Sequence, residues 1–419
     1  MTDIYFRTDG NSKIATGHIM RCLTIARACV RQGGTVKFIV SDEESLALLR
    51  ERLEIPQEFD TCCLNSNYGN LSSELPALLS SLTTDSKAIG TISDVKPWIF
   101  IDSYYATTSY FMALREHFRV AYLDDLRSID CSVDLLINYD TEEDCDCYAN
   151  ASRKLLGAQY TPLREQFHAP SYTVRPEARH VLLSTGGTDP YRVAESLLHN
   201  IYDQTLPTEN LSERQARDLS KSCTSSTHQN IQSHLPDANE TASLRSMHYH
   251  ILTSRANTRY DALNALAQTH SSIHIHTNVT EVATLMASCD LAVSAGGTTL
   301  CELCAVGVPS ISYLMAENQR TAVETYAKRN LIPCAGDIRP TVSAQNSDSC
   351  IHHTNTGSTS LSITENPDSY VPDTSTLRHI LDFLSGMAQN YDARTAVSSS
   401  MRKFLDGSGA ELIAQALLG

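Results

Sequence analysis

One histidine stands where chemistry is easiest to place. In the run Asp9-Gly10-Asn11-Ser12-Lys13-Ile14-Ala15-Thr16-Gly17-His18-Ile19-Met20-Arg21-Cys22, His18 follows a glycine and opens a stretch of helical spacing. Ile4-Tyr5-Phe6 reads as a short strand before it. Ile19, Leu23, Ala26 and Val30 then recur with helical period, which predicts a helix over 17–32 with one apolar face. Gly17 and His18 thus fall at the C-terminal edge of a strand, where open α/β sheets bind ligands. They also fall at a helix N-terminus, whose free N–H groups attract anions. An imidazole there can move a proton near neutral pH. A surface turn with an incidental histidine fits this stretch as well. Asp9 either orients His18, contacts a sugar, or only shapes the turn beside Gly10. Arg21, one helical turn on, either meets phosphates or pairs with an acid.

Two further loops carry paired glycines. Thr185-Gly186-Gly187-Thr188-Asp189-Pro190 and Ala295-Gly296-Gly297-Thr298-Thr299 each follow an apolar strand pattern and precede a helical one. Paired glycines let the backbone approach a ligand closely, and with a helix N-terminus they form a diphosphate cradle. Glu302 lies one turn into the second helix, where a carboxylate can accept ribose hydroxyls. Two tight turns without a ligand are the plainer reading. Neither loop continues into Gly-Lys-Ser/Thr, and the first loop of the chain lacks Gly-x-Gly-x-x-Gly, which disfavours a P-loop and a Rossmann dehydrogenase.

The elements that must position these loops alternate along the chain. Strand patterns at 35–41, 98–102, 119–123 and 135–138 end in polar residues and alternate with helical ones. This is the pattern of a doubly wound parallel sheet. Strands at 180–184, 250–253, 272–276, 291–294 and 309–313 start a second series. The reading is an α/β chain of two Rossmann-like domains, 1–170 and 175–395, with a C-terminal helical segment over 396–419. Stretches near 203–247 and 339–376 are rich in Ser, Thr, Asn and Asp and poor in aliphatics, and read as polar surface insertions or disordered loops.

Composition bounds the partners. The 419 residues are 42% hydrophobic and 19% charged, with a formal net charge of −15. That acidity argues against nucleic acid and anionic membranes, which select basic faces. No apolar run approaches the roughly 20 residues of a membrane span, and no secretory signal is read at Met1-Thr2-Asp3-Ile4. Thirteen cysteines, scattered through apolar segments, suit reduced thiols in a cytoplasmic protein. Cys145-Asp146-Cys147 and Cys301-Glu302-Leu303-Cys304 lack a second ligand pair at zinc spacing, so neither a metal nor another cofactor is expected.

Taken together, these blocks resemble one family. Arg7-Thr8-Asp9, Thr16 to Leu23, Ile101-Asp102-Ser103-Tyr104, Leu123-Asp124-Asp125, Ser184 to Pro190 and Ser294 to Leu303 follow in order. So do Gly307-Val308-Pro309-Ser310, Glu317-Asn318-Gln319 and Asp406-Gly407-Ser408-Gly409-Ala410. The resemblance is to the UDP-2,4-diacetamido-2,4,6-trideoxy-β-L-altropyranose hydrolases of pseudaminic acid biosynthesis (PseG). It implies a GT-B-like fold, two Rossmann-like doubly wound domains facing across a cleft. It makes His18 a catalytic base and has Tyr104 line the sugar site, as a wall or as a hydrogen-bonder. It has the block 295–302, Gly296, Gly297, Thr298 and Thr299 with Glu302, hold UDP; the glycine-loop reading adds Gly186, Gly187 and Thr188 to the UDP site. Glu317, Asn318 and Gln319 would lie by the sugar and phosphates. The expected reaction is attack of water at the anomeric carbon with inversion, releasing UDP without a metal, in a protein expected to act as a monomer. The two polar insertions depart from the family pattern. A glycosyltransferase of the same fold and a non-catalytic nucleotide-sugar binding module are the competing readings.

Overall fold

The computed structural model describes residues 2–419 except 12, 13, 15, 56, 84–95, 169, 204–242 and 340–370, and except the Asn318 side chain. Contacts divide the chain into two units, Met1–Ala169 with Phe404–Gly419, and Pro170–Lys403. The end of the chain therefore returns to the first unit instead of forming a segment of its own over 396–419. Most of the two polar stretches lies outside the described residues. Their described ends are ordered: Leu244 and Met247 are buried, and a helix begins at Thr374.

The first unit runs β1 (Asp3–Thr8), α1 (Gly17–Arg31), β2 (Thr35–Val40), α2 (Glu43–Glu51), β3 (Asp60–Cys63), α3 (Leu75–Thr83), β4 (Trp98–Asp102), α4 (Thr108–Arg115), β5 (Arg119–Leu123), β6 (Leu135–Asn138) and β7 (Arg153–Leu156). The second runs β8 (His180–Ser184), α5 (Val193–Asp203), β9 (His248–Leu252), α6 (Tyr260–Thr269), β10 (Ile273–His276), α7 (Val282–Ser288), β11 (Leu291–Ala295), α8 (Thr298–Val306), β12 (Ser310–Leu314), α9 (Arg320–Lys328), β13 (Cys334–Asp337), α10 (Thr374–Gln389) and α11 (Tyr391–Phe404). A last helix, α12 (Gly409–Leu418), completes the first unit.

The strand order is β3-β2-β1-β4-β5-β6-β7 in one sheet and β10-β9-β8-β11-β12-β13 in the other. Central strands read as continuous apolar runs because parallel sheets are covered on both faces. Trp98-Ile99-Phe100-Ile101-Asp102 is buried throughout. Phe6 lies between Phe38 and Phe100, with ring centroids 5.3 and 4.9 Å away.

Helix α1 buries Ile19, Cys22, Leu23, Ala26 and Cys29. The apolar stripe ends on Cys29, since Val30 is 48% exposed. Its partner is α12, whose Ala410, Ile413, Ala414 and Leu417 join the same cluster. Two glycines permit this docking. Gly407 adopts φ +84°, and a Cβ on Gly409 would sit 2.2 Å from the Thr161 carbonyl oxygen.

In each sheet the strand order reverses beside the first strand, between β1 and β4 and between β8 and β11. Loops at the carboxyl ends of such neighbours splay apart and leave a ligand crevice. Those loops lead to Gly17 at the start of α1 and contain Tyr104 in one unit, and contain Gly186 and Gly296 in the other.

Candidate active site

The pairing of β1 with β4 sets Thr8 opposite Asp102. Asp102 thereby reaches the first turn of α1, 84 residues earlier in the chain. His18 Nδ1 lies 2.6 Å from Asp102 Oδ1. Arg21 grips the same carboxylate, donating from Nε to Oδ2 at 2.6 Å and from Nη2 to Oδ1 at 2.6 Å. Asp102 is 1% exposed and His18 5%. A carboxylate only accepts, so this contact calls for the hydrogen on Nδ1, which in the neutral ring leaves Nε2 with the lone pair a general base requires, although Arg21 Nη2, which only donates, lies 3.0 Å from the same Nδ1. Burial works to raise the Asp102 carboxyl. The Arg21 charge and hydrogen bonds, aided by His18, outweigh it and hold the group well below the usual carboxylate range.

Arg21 Nη1 also donates to Asp125 Oδ2 at 3.1 Å and to the Tyr139 hydroxyl at 2.7 Å. Of the two roles open to Arg21, the structure gives it acid pairing. Tyr104 stands edge-on to His18, centroids 4.6 Å apart at 83°, and its hydroxyl donates to Asp125 Oδ2 at 2.9 Å. Its ring is half exposed. Beside it Tyr105 leans on Tyr68, centroids 4.8 Å apart. Asp9 does not orient His18. It accepts from the Ser41 N–H at 2.6 Å, the Ser41 hydroxyl at 2.9 Å and Arg7 Nη1 at 2.7 Å, in a buried network completed by Glu74. A buried Arg7 needs both acids for charge balance, and this takes Asp9 out of the sugar contacts expected for it.

The two glycine loops of the second unit differ. Gly186 adopts φ +84°, and Asp189 closes the helix beyond it, accepting from Val193 N–H at 2.9 Å and Ala194 N–H at 3.0 Å. The N-terminus of α5 is thus capped by the chain's own carboxylate, which takes the amides of Val193 and Ala194. Burial pushes the Asp189 carboxyl up to about 6. By contrast α8 follows Gly297 at its N-cap, with no side-chain cap and no acid in its first turn, so the amides of Thr298 and Thr299 head an uncapped helix. Gly296 is needed for packing, since a Cβ there would come within 2.3 Å of Val323. At Gly297 a Cβ would meet nothing within 4 Å. Packing in this unit does not require that glycine, whereas close approach of a ligand would.

Glu302 lies one turn into α8, partly buried. Gln319 packs over Gly296 and its Oε1 accepts from the Met315 N–H at 3.1 Å. Glu317 is exposed and its carboxylate is taken by Arg320 and Arg339, at 3.0 and 3.1 Å for Oε2. It is part of a surface ion-pair cluster. Asn318 falls outside the described side chains. Cys145 and Cys147 form a disulfide, in place of the reduced thiols read from the sequence. Among the described residues no three His, Cys, Asp or Glu side chains could hold a metal ion, and no described helix is long and apolar enough to cross a membrane.

Tyr139 joins the site through the structure alone, while Asp102 and Asp125 stand in the sequence's motif blocks without a role assigned there. For Asp102 a signal existed: it ends β4, at the same edge as Tyr104.

No protein-family model matches the sequence, and none of the curated proteins matches it. Solved structures do. MurG of Acinetobacter baumannii is similar with a TM-score of 0.57 at 10% identity, over 100% of this chain and 99% of that one. Arabidopsis thaliana UGT89C1 complexed with UDP-L-rhamnose gives 0.54 at 11% identity, over 99% of both chains. The glycotransferase of kitacinnamycin gives 0.52 at 12% identity, over 99% of both chains. The chain has the GT-B fold. At these identities the likeness is one of architecture, two Rossmann-like units in one chain.

Proposed function

We propose that the chain is an enzyme that displaces a nucleoside diphosphate from a nucleotide sugar. The observation that carries this reading is the His18–Asp102 pair at the carboxyl edge of β4, a base with its far nitrogen tied down. His18 Nε2 takes the proton of an attacking O–H as the new bond to the anomeric carbon forms. The bond from that carbon to the diphosphate oxygen breaks, and its electron pair leaves with the nucleotide. In the second unit, the uncapped N-terminus of α8 offers fixed dipoles to a nucleoside diphosphate. Glu302 receives the ribose hydroxyls. Tyr104 and Tyr105 offer aromatic faces to the sugar ring.

For the identity of the nucleophile, the motif resemblance favours water, with UDP-2,4-diacetamido-2,4,6-trideoxy-β-L-altropyranose as the substrate. A second reading, transfer to an acceptor, is favoured by the glycosyltransferases that share the fold. A binding module without catalysis has no use for a buried base held by a carboxylate. The deciding experiment is incubation with a panel of UDP-sugars, with and without candidate acceptors. Release of UDP and free sugar in buffer alone supports the hydrolase, and UDP release only with an acceptor supports the transferase. No UDP release from any member overturns both.

A further inference from the structure

Five histidines of the second unit share one face of its sheet. Cross-strand partners point the same way, and so do residues two apart on one strand. His180 pairs with His248, and His250 with His274. His276 follows His274 at the same spacing. The other face of these strands sends Tyr249, Ile251 and Ile273 into the core. The imidazoles bond to one another. His180 Nδ1 lies 2.9 Å from His250 Nε2, His250 Nδ1 lies 3.0 Å from His276 Nε2, and His248 Nδ1 lies 3.1 Å from His274 Nε2. Neighbouring rings stack at 4.9–5.4 Å.

Each nitrogen–nitrogen bond needs one partner with a bare lone pair. A proton that lands on the accepting nitrogen of a pair turns it into a donor and breaks that bond. A second proton sets like charges about 5 Å apart. The fixed charges facing the ladder stand at its β8 end. Asp290 accepts the His180 backbone N–H at 2.9 Å and the Arg175 guanidinium at 2.8 Å. Asp290 favours a charged His180, whereas Arg175 opposes it. Around His250 and His276 the groups that act are the other histidines.

We propose that this ladder is an acid-sensitive latch: neutral, it bolts β9 and β10 to β8, and protonation releases that edge of the sheet. Release reaches the glycine loop, because Ser254, just after β9, donates its hydroxyl to the Gly187 carbonyl at 2.7 Å. Burial and the neighbouring rings push His250 down to about 4, and His180 and His276 also fall below the ordinary value. The folded state therefore prefers the neutral rings. Its stability is full above the unfolded histidine value near ~6.5 and declines as pH falls toward about 4.

Hydrogen exchange of the full chain between pH 7 and pH 4.5 tests the latch, with rates corrected for the intrinsic effect of pH. Peptides covering 248–276 should lose protection by about tenfold or more relative to those covering 291–314. The loss should be reversible on neutralisation. In His276→Gln, at the strand end, and separately in His250→Gln, the midpoint of the loss should move to lower pH. Uniform exchange across both regions in the wild-type chain overturns the proposal without recourse to a variant. So does an unchanged midpoint in the folded variants.

Discussion

A histidine works as a base when one nitrogen is held and the other is left to act. Asp102 holds His18 by Nδ1 while Arg21 neutralises Asp102, so the carboxylate can sit buried and ionised at once. Changing His18 to Asn should lower turnover by about 10²–10⁴-fold while UDP affinity, read by calorimetry, stays the same. Turnover within a few-fold of wild type would remove His18 as the base. Asp102→Asn should lower kcat in the same direction and also lower Tm, since Arg21 keeps its buried charge with one acid fewer; a cost of about 1–3 kcal/mol is expected. A kcat loss without any Tm change would mean that Arg21 finds another partner. The acid side has its own sign. Asp102 is depressed in the folded state, so its contribution to stability is complete above the unfolded value near ~3.9 and is lost only below it. At this scale the sequence showed the histidine but not its partner. Gly17-His18 stands at a visible strand–helix junction, whereas Asp102 becomes its neighbour only through the register of β1 against β4.

The elements explain which glycines serve packing and which do not. Gly296→Ala forces a methyl group against Val323 and should cost about 1–3 kcal/mol in a denaturant titration. Gly297→Ala has room and ordinary φ, so its stability should lie within about 0.5 kcal/mol of wild type. If α8 holds a diphosphate, the same Gly297→Ala change should still weaken UDP binding, by about tenfold. Equal affinity in that variant would move the nucleotide site elsewhere. From sequence alone the two glycine loops looked equivalent. They part on Asp189, whose carboxylate turns back onto α5, and no spacing rule separates a capping acid from a ligand-facing one. Strand β4 was plain because Trp98-Ile99-Phe100-Ile101 is a continuous apolar run. Strands β3 and β7 were not, being four-residue edge strands, Asp-Thr-Cys-Cys and Arg-Lys-Leu-Leu, with little periodicity. Helix α10 was obscured because its first turn, Thr374-Ser375-Thr376, continues the polar composition of the stretch before it.

At the scale of the whole molecule, the first unit is closed by residues from the far end of the chain. Leu417 is 1% exposed in the cluster that also contains Leu23 and Ala26 of α1. Leu417→Ala should cost about 2–4 kcal/mol and, because α1 carries His18, should lower activity near the melting temperature before it lowers it in the cold. Equal thermal inactivation of variant and wild type would show that α1 holds its place without α12. The sequence revealed two α/β series and two helical patterns at the end, but an order of elements does not say which sheet a terminal helix will cover. This arrangement also orders events in time. A ribosome delivers β1 to β7 first, then all of the second unit, and only then α12. The apolar face of α1 is therefore made long before its cover, and the nascent first unit must wait, with Leu23, Ala26 and Cys29 lacking that neighbour, while more than half of the chain is still being synthesised.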